Sequence, residues 1–221
     1  MFLKDISISG LPNSSYNVVR FNWQTHCIED LYLRNLIPYK NDFIKKLNVI
    51  LIGKDDQDRF SSTGLKLNVF QNMLSIGEVF LHFDFEIYEK TDEYNKKQMV
   101  LNKIQQGFEV FSKGTMADFS PFKKAYQKCM EAKLENELVL KENLLSKNKY
   151  SATVKLKVDL ENLQTVAVIK NLMNGTQMEK IFFTEKPEAL FSYYLGSIKW
   201  TENNVITLFD KTGQHKWTVA L

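Results

Sequence analysis

Few residues in this chain combine types and spacing that suggest chemistry. The run His82-Phe83-Asp84-Phe85-Glu86 sets an imidazole and two carboxylates at i, i+2 and i+4. On a β-strand these three share a face, about 7 Å apart per step. Their types suit a divalent ion or general acid–base work, so the chemistry they would support is metal-assisted hydrolysis. Against that stands an ordinary alternative, since a half-exposed antiparallel strand normally shows polar residues on its wet face. Steps of this length also need ligands from elsewhere before one ion can be closed.

The stretch Gln24-Thr25-His26-Cys27-Ile28-Glu29-Asp30 gathers a histidine, a cysteine and two carboxylates. If residues 26–36 form a helix, His26 lies one turn from Glu29 and Asp30, with Cys27 pointing about 100° away. A zinc site would need a second pair of ligands at matched spacing. His82 and His215 have no cysteine beside them, and Cys129 falls on an apolar stripe. His26 is therefore expected as a surface or cap residue and Cys27 as a small core filler.

Ser120-Pro121-Phe122-Lys123, Ser146-Lys147-Asn148 and Lys211-Thr212-Gly213 occur in that order. They resemble the S-x-x-K, S-D-N and K-T-G motifs of serine β-lactamases and penicillin-binding proteins, where a lysine helps activate a serine nucleophile. Serine and lysine are abundant enough here to supply S-x-x-K by chance. Lys211-Thr212-Gly213 also sits where a hairpin turn wants Asp-x-x-Gly. The large helical region that surrounds the serine in that family has no counterpart, so this reading is set aside. No G-x-S-x-G elbow, phosphate-cradling P-loop or dinucleotide fingerprint is present, and no cofactor is expected.

The elements that must position these groups are strand-like at both ends. Residues 1–90 read mainly as strands: YNVVRFNW, KLNVILIG, LKLNVF and EVFLHFDFEIYE, broken by Gly, Asp and Ser clusters. Two helices follow. Thr91 caps the first, with Asp92 and Glu93 in its opening turn, and Tyr94, Leu101, Ile104, Phe108 and Phe111 form one apolar stripe before Gly114. The second opens at Ser120-Pro121 and carries Phe122, Ala125, Tyr126 and Cys129. From about residue 137 strands return. Asn174-Gly175 marks one hairpin and Asp210-Lys211-Thr212-Gly213 another, with a short helix expected between Pro187 and Gly196. The fold class is thus α+β: mostly antiparallel sheet in two β-rich halves packed against two consecutive central helices. A single domain over 1–221 is expected, with a seam near 114–120.

Composition narrows the function. The chain has 44% apolar and 13% aromatic residues, an ordinary globular balance, and no apolar run long enough to span a bilayer. The N-terminus alternates like a strand and lacks a signal-peptide core, and two cysteines fit a reducing compartment, so a cytoplasmic location is expected. Only three of the 29 basic residues are arginines. Lysine and asparagine come from A/T-rich codons, which implies an AT-rich bacterial genome. Nucleic acid is a poor fit as a partner, because phosphate and guanine recognition favours arginine and the lysines are spread out. No membrane partner is expected.

Residues 181–221 hold eight aromatics, denser than the 13% of the whole chain. Tyr193 faces out from the stripe of the expected short helix, where Tyr194 lies, and Trp200 precedes a polar turn. Aromatics presented this way are enriched in protein interfaces, so Tyr193, Tyr194 and Trp200 are the candidate binding residues. A motif-free chain of this kind is similar in general style to the immunity proteins that neutralise bacterial toxins. The likeness is of style and transfers no residue. It implies a non-enzymatic protein-binding module whose partner is a protein, such as a toxin.

Overall fold

The structure is a computed structural model that describes residues 2–11, 18–36, 38–54, 64–70, 74–146, 149–186, 195–202, 204–214 and 216–221. The class is α+β, and six of the eight described strand pairings are antiparallel. The chain divides into two compact units, Met1–Glu135 and Asn136–Leu221. The turn after Thr115, near the seam expected at 114–120, lies inside the first unit, as do both central helices.

The first unit runs β1 (Asp5–Gly10), α1 (Val18–Asn35), β2 (Lys46–Ile52), β3 (Gly64–Phe70), β4 (Leu74–His82), α2 (Phe85–Lys90), α3 (Glu93–Thr115) and α4 (Ser120–Glu131). Its sheet has the order β1-β2-β4-β3. β1, β2 and β4 are parallel, and β3 is antiparallel to β4. A parallel neighbour needs a crossover, and α1 supplies it between β1 and β2. Leu47, Val49 and Leu51 alternate on β2 in register with Gly77, Val79 and Leu81 of β4. That face meets α3 so closely that a Cβ on Gly107 would lie 2.6 Å from Val49 Cγ2. The stripe of α3 expected from its spacing is buried at Leu101, Ile104, Phe108 and Phe111, while Tyr94 stays exposed. Phe108 stacks on Phe122 of α4 at 4.1 Å between ring centres and on Tyr32 of α1 at 5.5 Å.

Two runs expected as strands are helical. YNVVRFNW is helix from Val18, the first turn of α1. HFDFEIYE leaves the sheet after His82 because the Asp84 carboxylate accepts the Ile87 N–H at 3.0 Å and starts α2. Phe83, Phe85 and Tyr88 then pack round Phe21 of α1, with ring centres 5.1–5.5 Å from it. The first helix start shifts by one residue from the Thr91 cap, and the second lies at Ser120-Pro121 as expected. Asp92 caps α3, and at α4 Asp118 accepts both the backbone N–H and the hydroxyl of Ser120.

The second unit contains β5 (Asn136–Ser146), β6 (Tyr150–Val158), β7 (Leu163–Asn171), β8 (Gln177–Glu185), β9 (Leu195–Glu202), β10 (Val205–Asp210) and β11 (Lys216–Ala220). They form two antiparallel sheets, β5-β6-β7-β8 and β9-β10-β11. Ala152, Val154, Ala167 and Ile169 of the larger sheet form one core with Ile206 and Val219 of the smaller. Both expected hairpins are present, and each turn contains a glycine with positive φ, 73° at Gly175 and 74° at Gly213. That backbone region costs glycine no side-chain clash.

Candidate functional site

β1, β2 and β4 end on the same side of their sheet, since they are parallel. Ligands in open sheets of this kind collect at the carboxyl ends of the strands. A cleft of about 530 Å³ opens there, lined by Lys54, His82, Phe83, Asp84, Met99, Asn102, Lys103 and Gln106. Lys54 follows the end of β2, His82 is the last residue of β4, and Asp84 caps α2. Met99, Asn102, Lys103 and Gln106 recur at helical spacing along one face of α3.

The electrostatics of the cleft follow from its pairings. Asp84 Oδ2 meets Lys54 Nζ at 2.8 Å. That hydrogen bond, with the Ile87 N–H, holds the Asp84 carboxyl below its usual range, so it is ionised at neutral pH. Lys103 Nζ donates to the neutral Gln106 Oε1 at 3.0 Å, and burial alone lowers its pKa. Among the described residues it has no carboxylate partner. The Asn102 Oδ1 accepts the Tyr126 hydroxyl at 2.8 Å.

The chain matches no family model, and comparison with curated proteins and with solved structures finds no match. Geometry therefore carries the functional reading.

The hydrolase set does not assemble as a strand face. His82 and Asp84 both line the cleft, but Glu86 lies exposed on α2 and outside it. The cause is the Asp84 cap, which turns the chain from strand into helix within two residues. Asp84 is already committed to Lys54 and to Ile87. Among the described residues no group of three or more His, Cys, Asp and Glu side chains is placed to hold a metal ion.

Tyr193 and Tyr194 lie outside the described residues. Trp200 is half-buried: its indole N–H donates to the Leu144 carbonyl at 3.0 Å and its ring stacks at 6.3 Å on Tyr150. It packs against the core of the second unit and ties β9 to β5.

Gln24–Asp30 turns out to be structural. β1 is an edge strand, and two of its backbone N–H groups point at α1. Ile8 N–H donates to Glu29 Oε1 at 2.7 Å and Gly10 N–H to Asn22 Oδ1 at 3.1 Å. The Thr25 hydroxyl lies within bonding distance of the Ile8 carbonyl, at 3.2 Å, and of Glu29 Oε1, at 3.0 Å. Asn22, Thr25 and Glu29 are spaced by three and four residues, one stripe of the helix. They supply the partners that a neighbouring strand would otherwise provide. His26, exposed, pairs through Nδ1 with Glu29 Oε2 at 2.7 Å. Cys27 and Cys129 are both buried, and burial pushes the Cys129 thiol up to about 11, so it stays protonated and is a poor nucleophile.

The Ser-x-x-Lys and Lys-Thr-Gly runs also have local roles. The Ser120 hydroxyl donates to Asp118 at the start of α4, and the Thr212 hydroxyl donates to Asp210 within the β10–β11 turn.

One feature had no clear signal in the sequence. At one end of the β5–β8 sheet, Leu145, Leu172, Met173 and Met178 are 59%, 45%, 85% and 39% exposed. Leu145 is in register with Ser151, and Ser151 with Lys170. The Leu172 N–H reaches the Lys149 carbonyl at 2.9 Å, and Met178 pairs with Ile169. All four lie toward one end of the sheet, Leu145 and Met178 on opposite faces and Leu172 and Met173 together in the β7–β8 turn, with Lys149 and Lys170 exposed there.

Proposed function

We propose that the chain is a protein-binding module that acts without catalysis, through the hairpin end of its second unit. The observation that carries the reading is the pair Leu172 and Met173, exposed side by side in the β7–β8 turn near Lys149 and Lys170. Apolar side chains gathered on a surface mark interaction sites more often than singly scattered ones do. Methionine suits such a site because its unbranched side chain adapts to a partner's shape. The surrounding lysines favour a partner that offers acidic groups around an apolar centre.

In its finer form the partner is a toxin and the chain is an immunity protein in the cytoplasm of a bacterial cell. The slight excess of positive charge, +3 over the whole chain, suits a partner that is not itself a basic nuclease.

The test is capture of a partner from the host lysate, repeated with the doubly substituted Leu172→Ser, Met173→Ser chain. Both residues are exposed in a turn, so the variant should melt at the same temperature as the parent. A stoichiometric protein partner, retained at high salt and lost in the variant, supports the reading. Retention of that partner by the variant sinks it, and so does recovery of none. Relief of the partner's growth inhibition by co-expression would then establish the immunity form.

A further inference from the structure

The cleft on the first unit has a chemistry that docking at the second unit leaves unused. We propose that it binds a small organic phosphate, with the phosphate held by Lys103 and Lys54 and the organic part lying against Phe83 and Met99. This goes beyond the protein-binding reading and stands or falls independently of it.

Hydrogen-bond accounting across the lining supports the assignment. Gln106 Oε1 already accepts from Lys103, and Asn102 Oδ1 already accepts from Tyr126. Each amide also carries an NH₂ group with two donors. Lys54 and Lys103 add two ammonium groups, which have donors only. Among the described lining residues the one carboxylate is Asp84, with one oxygen on Lys54 and the other on the Ile87 N–H. Among the described lining residues, two ammonium groups and two amide NH₂ groups stand against one carboxylate that is already paired, a balance that favours an oxyanion.

Charge points the same way. Among the described lining residues Lys54 pairs with Asp84, and the Lys103 ammonium adds a further positive charge. It is partly desolvated, with an amide oxygen as its partner. An anion placed against it would recover part of the lost solvation. Lysine binds phosphate as a point charge and needs no planar fork. Volume settles the rest. At about 530 Å³ the cleft is far larger than a phosphate group and falls in the range of small-molecule sites. Phe83 and Met99 give it an apolar wall.

The experiment uses the full chain and phenyl phosphate, a phosphate joined to one aromatic ring, followed by titration calorimetry at low salt. Saturable binding is expected, weakened about tenfold in Lys103→Gln and several-fold in Gln106→Leu. Lys113→Gln, on the same helix but paired with Glu109 outside the cleft, should bind as the parent does. Inorganic phosphate should bind more weakly than phenyl phosphate, and phenol should not bind. Lack of saturation up to about 10 mM would overturn the proposal. An equal loss in Lys113→Gln would do the same, because it would reduce the effect to general charge. Phosphatidic acid vesicles form a second arm. Vesicle binding lost in Lys103→Gln, with no response to phenyl phosphate, would assign the phosphate to a lipid surface and refute the small-molecule site.

Discussion

Replacement of Glu29 by alanine is the sharpest probe of how α1 holds the edge of the sheet. Glu29 is buried, and its Oε1 takes the Ile8 N–H at 2.7 Å. That N–H is bonded to the side chain and not to β2. Truncation leaves a buried donor without its acceptor, which costs about 1–3 kcal/mol. Loss of buried methylene contacts adds about 1 kcal/mol. The sum is about 3 kcal/mol. Glu29→Gln keeps an oxygen at the Oε1 position and gives up only the charge, so about 1 kcal/mol is expected from the weaker bond. Two readouts separate local from general effects. The urea midpoint should fall in the order parent, Gln, Ala. Hydrogen exchange at the Ile8 amide should speed up about a hundredfold in Glu29→Ala, at roughly tenfold per 1.4 kcal/mol. Less than a tenfold change at Ile8, or equal losses for Gln and Ala, would refute the idea that this carboxylate closes the edge.

Two further predictions concern the same unit. The hydrogen bond to Glu29 is the main cause that raises the His26 pKa above 6.5. A raised pKa in the folded state gives stability that is complete below pH 6.5 and is lost as pH rises through the folded value. The urea midpoint of the parent should therefore fall over that rise, while that of His26→Gln stays flatter, and parallel curves would count against the pair. Gly107→Ala gains about 1 kcal/mol of helix propensity but drives a Cβ to 2.6 Å from Val49 Cγ2, a crowding cost of about 1–3 kcal/mol. A net loss in melting temperature is expected. Val49→Ala should reduce it in a double-mutant cycle, and strict additivity would show that the close approach is not the cause.

How much of this was legible depends on where each element puts its polar residues. α3 follows its apolar spacing because its buried residues are mostly apolar, Leu101, Ile104, Phe108 and Phe111. The two late hairpins follow from Asn174-Gly175 and Asp210–Gly213, where local turn chemistry suffices. α1 was opaque for the opposite reason. Gln24, Thr25 and Glu29 are buried on it, so its inward face does not look apolar. α2 was hidden by the alternation of HFDFEIYE, which fits a strand until the Asp84 carboxylate intervenes. The parallel arrangement of β1, β2 and β4 has no local signature, since it depends on a crossover rather than a turn. Of the cleft, His82 and Asp84 stood out in the sequence. Asn102, Lys103 and Gln106 did not, because on a helix surface they read as ordinary solvated residues until folding sets them beside β4.

The side-chain cap on β1 also bears on whether copies of this chain stay apart. A bare edge strand is a template on which a second molecule can extend the sheet, and proteins commonly shield it with charge, proline or a bulge. Here a helix does so with three short polar residues, Asn22, Thr25 and Glu29, and the protection lasts only while α1 stays docked. Anything that lifts α1, such as heat, therefore uncovers a hydrogen-bonding edge at the moment when apolar surface is also exposed. Aggregation of this protein should begin at β1, before its sheet has come apart.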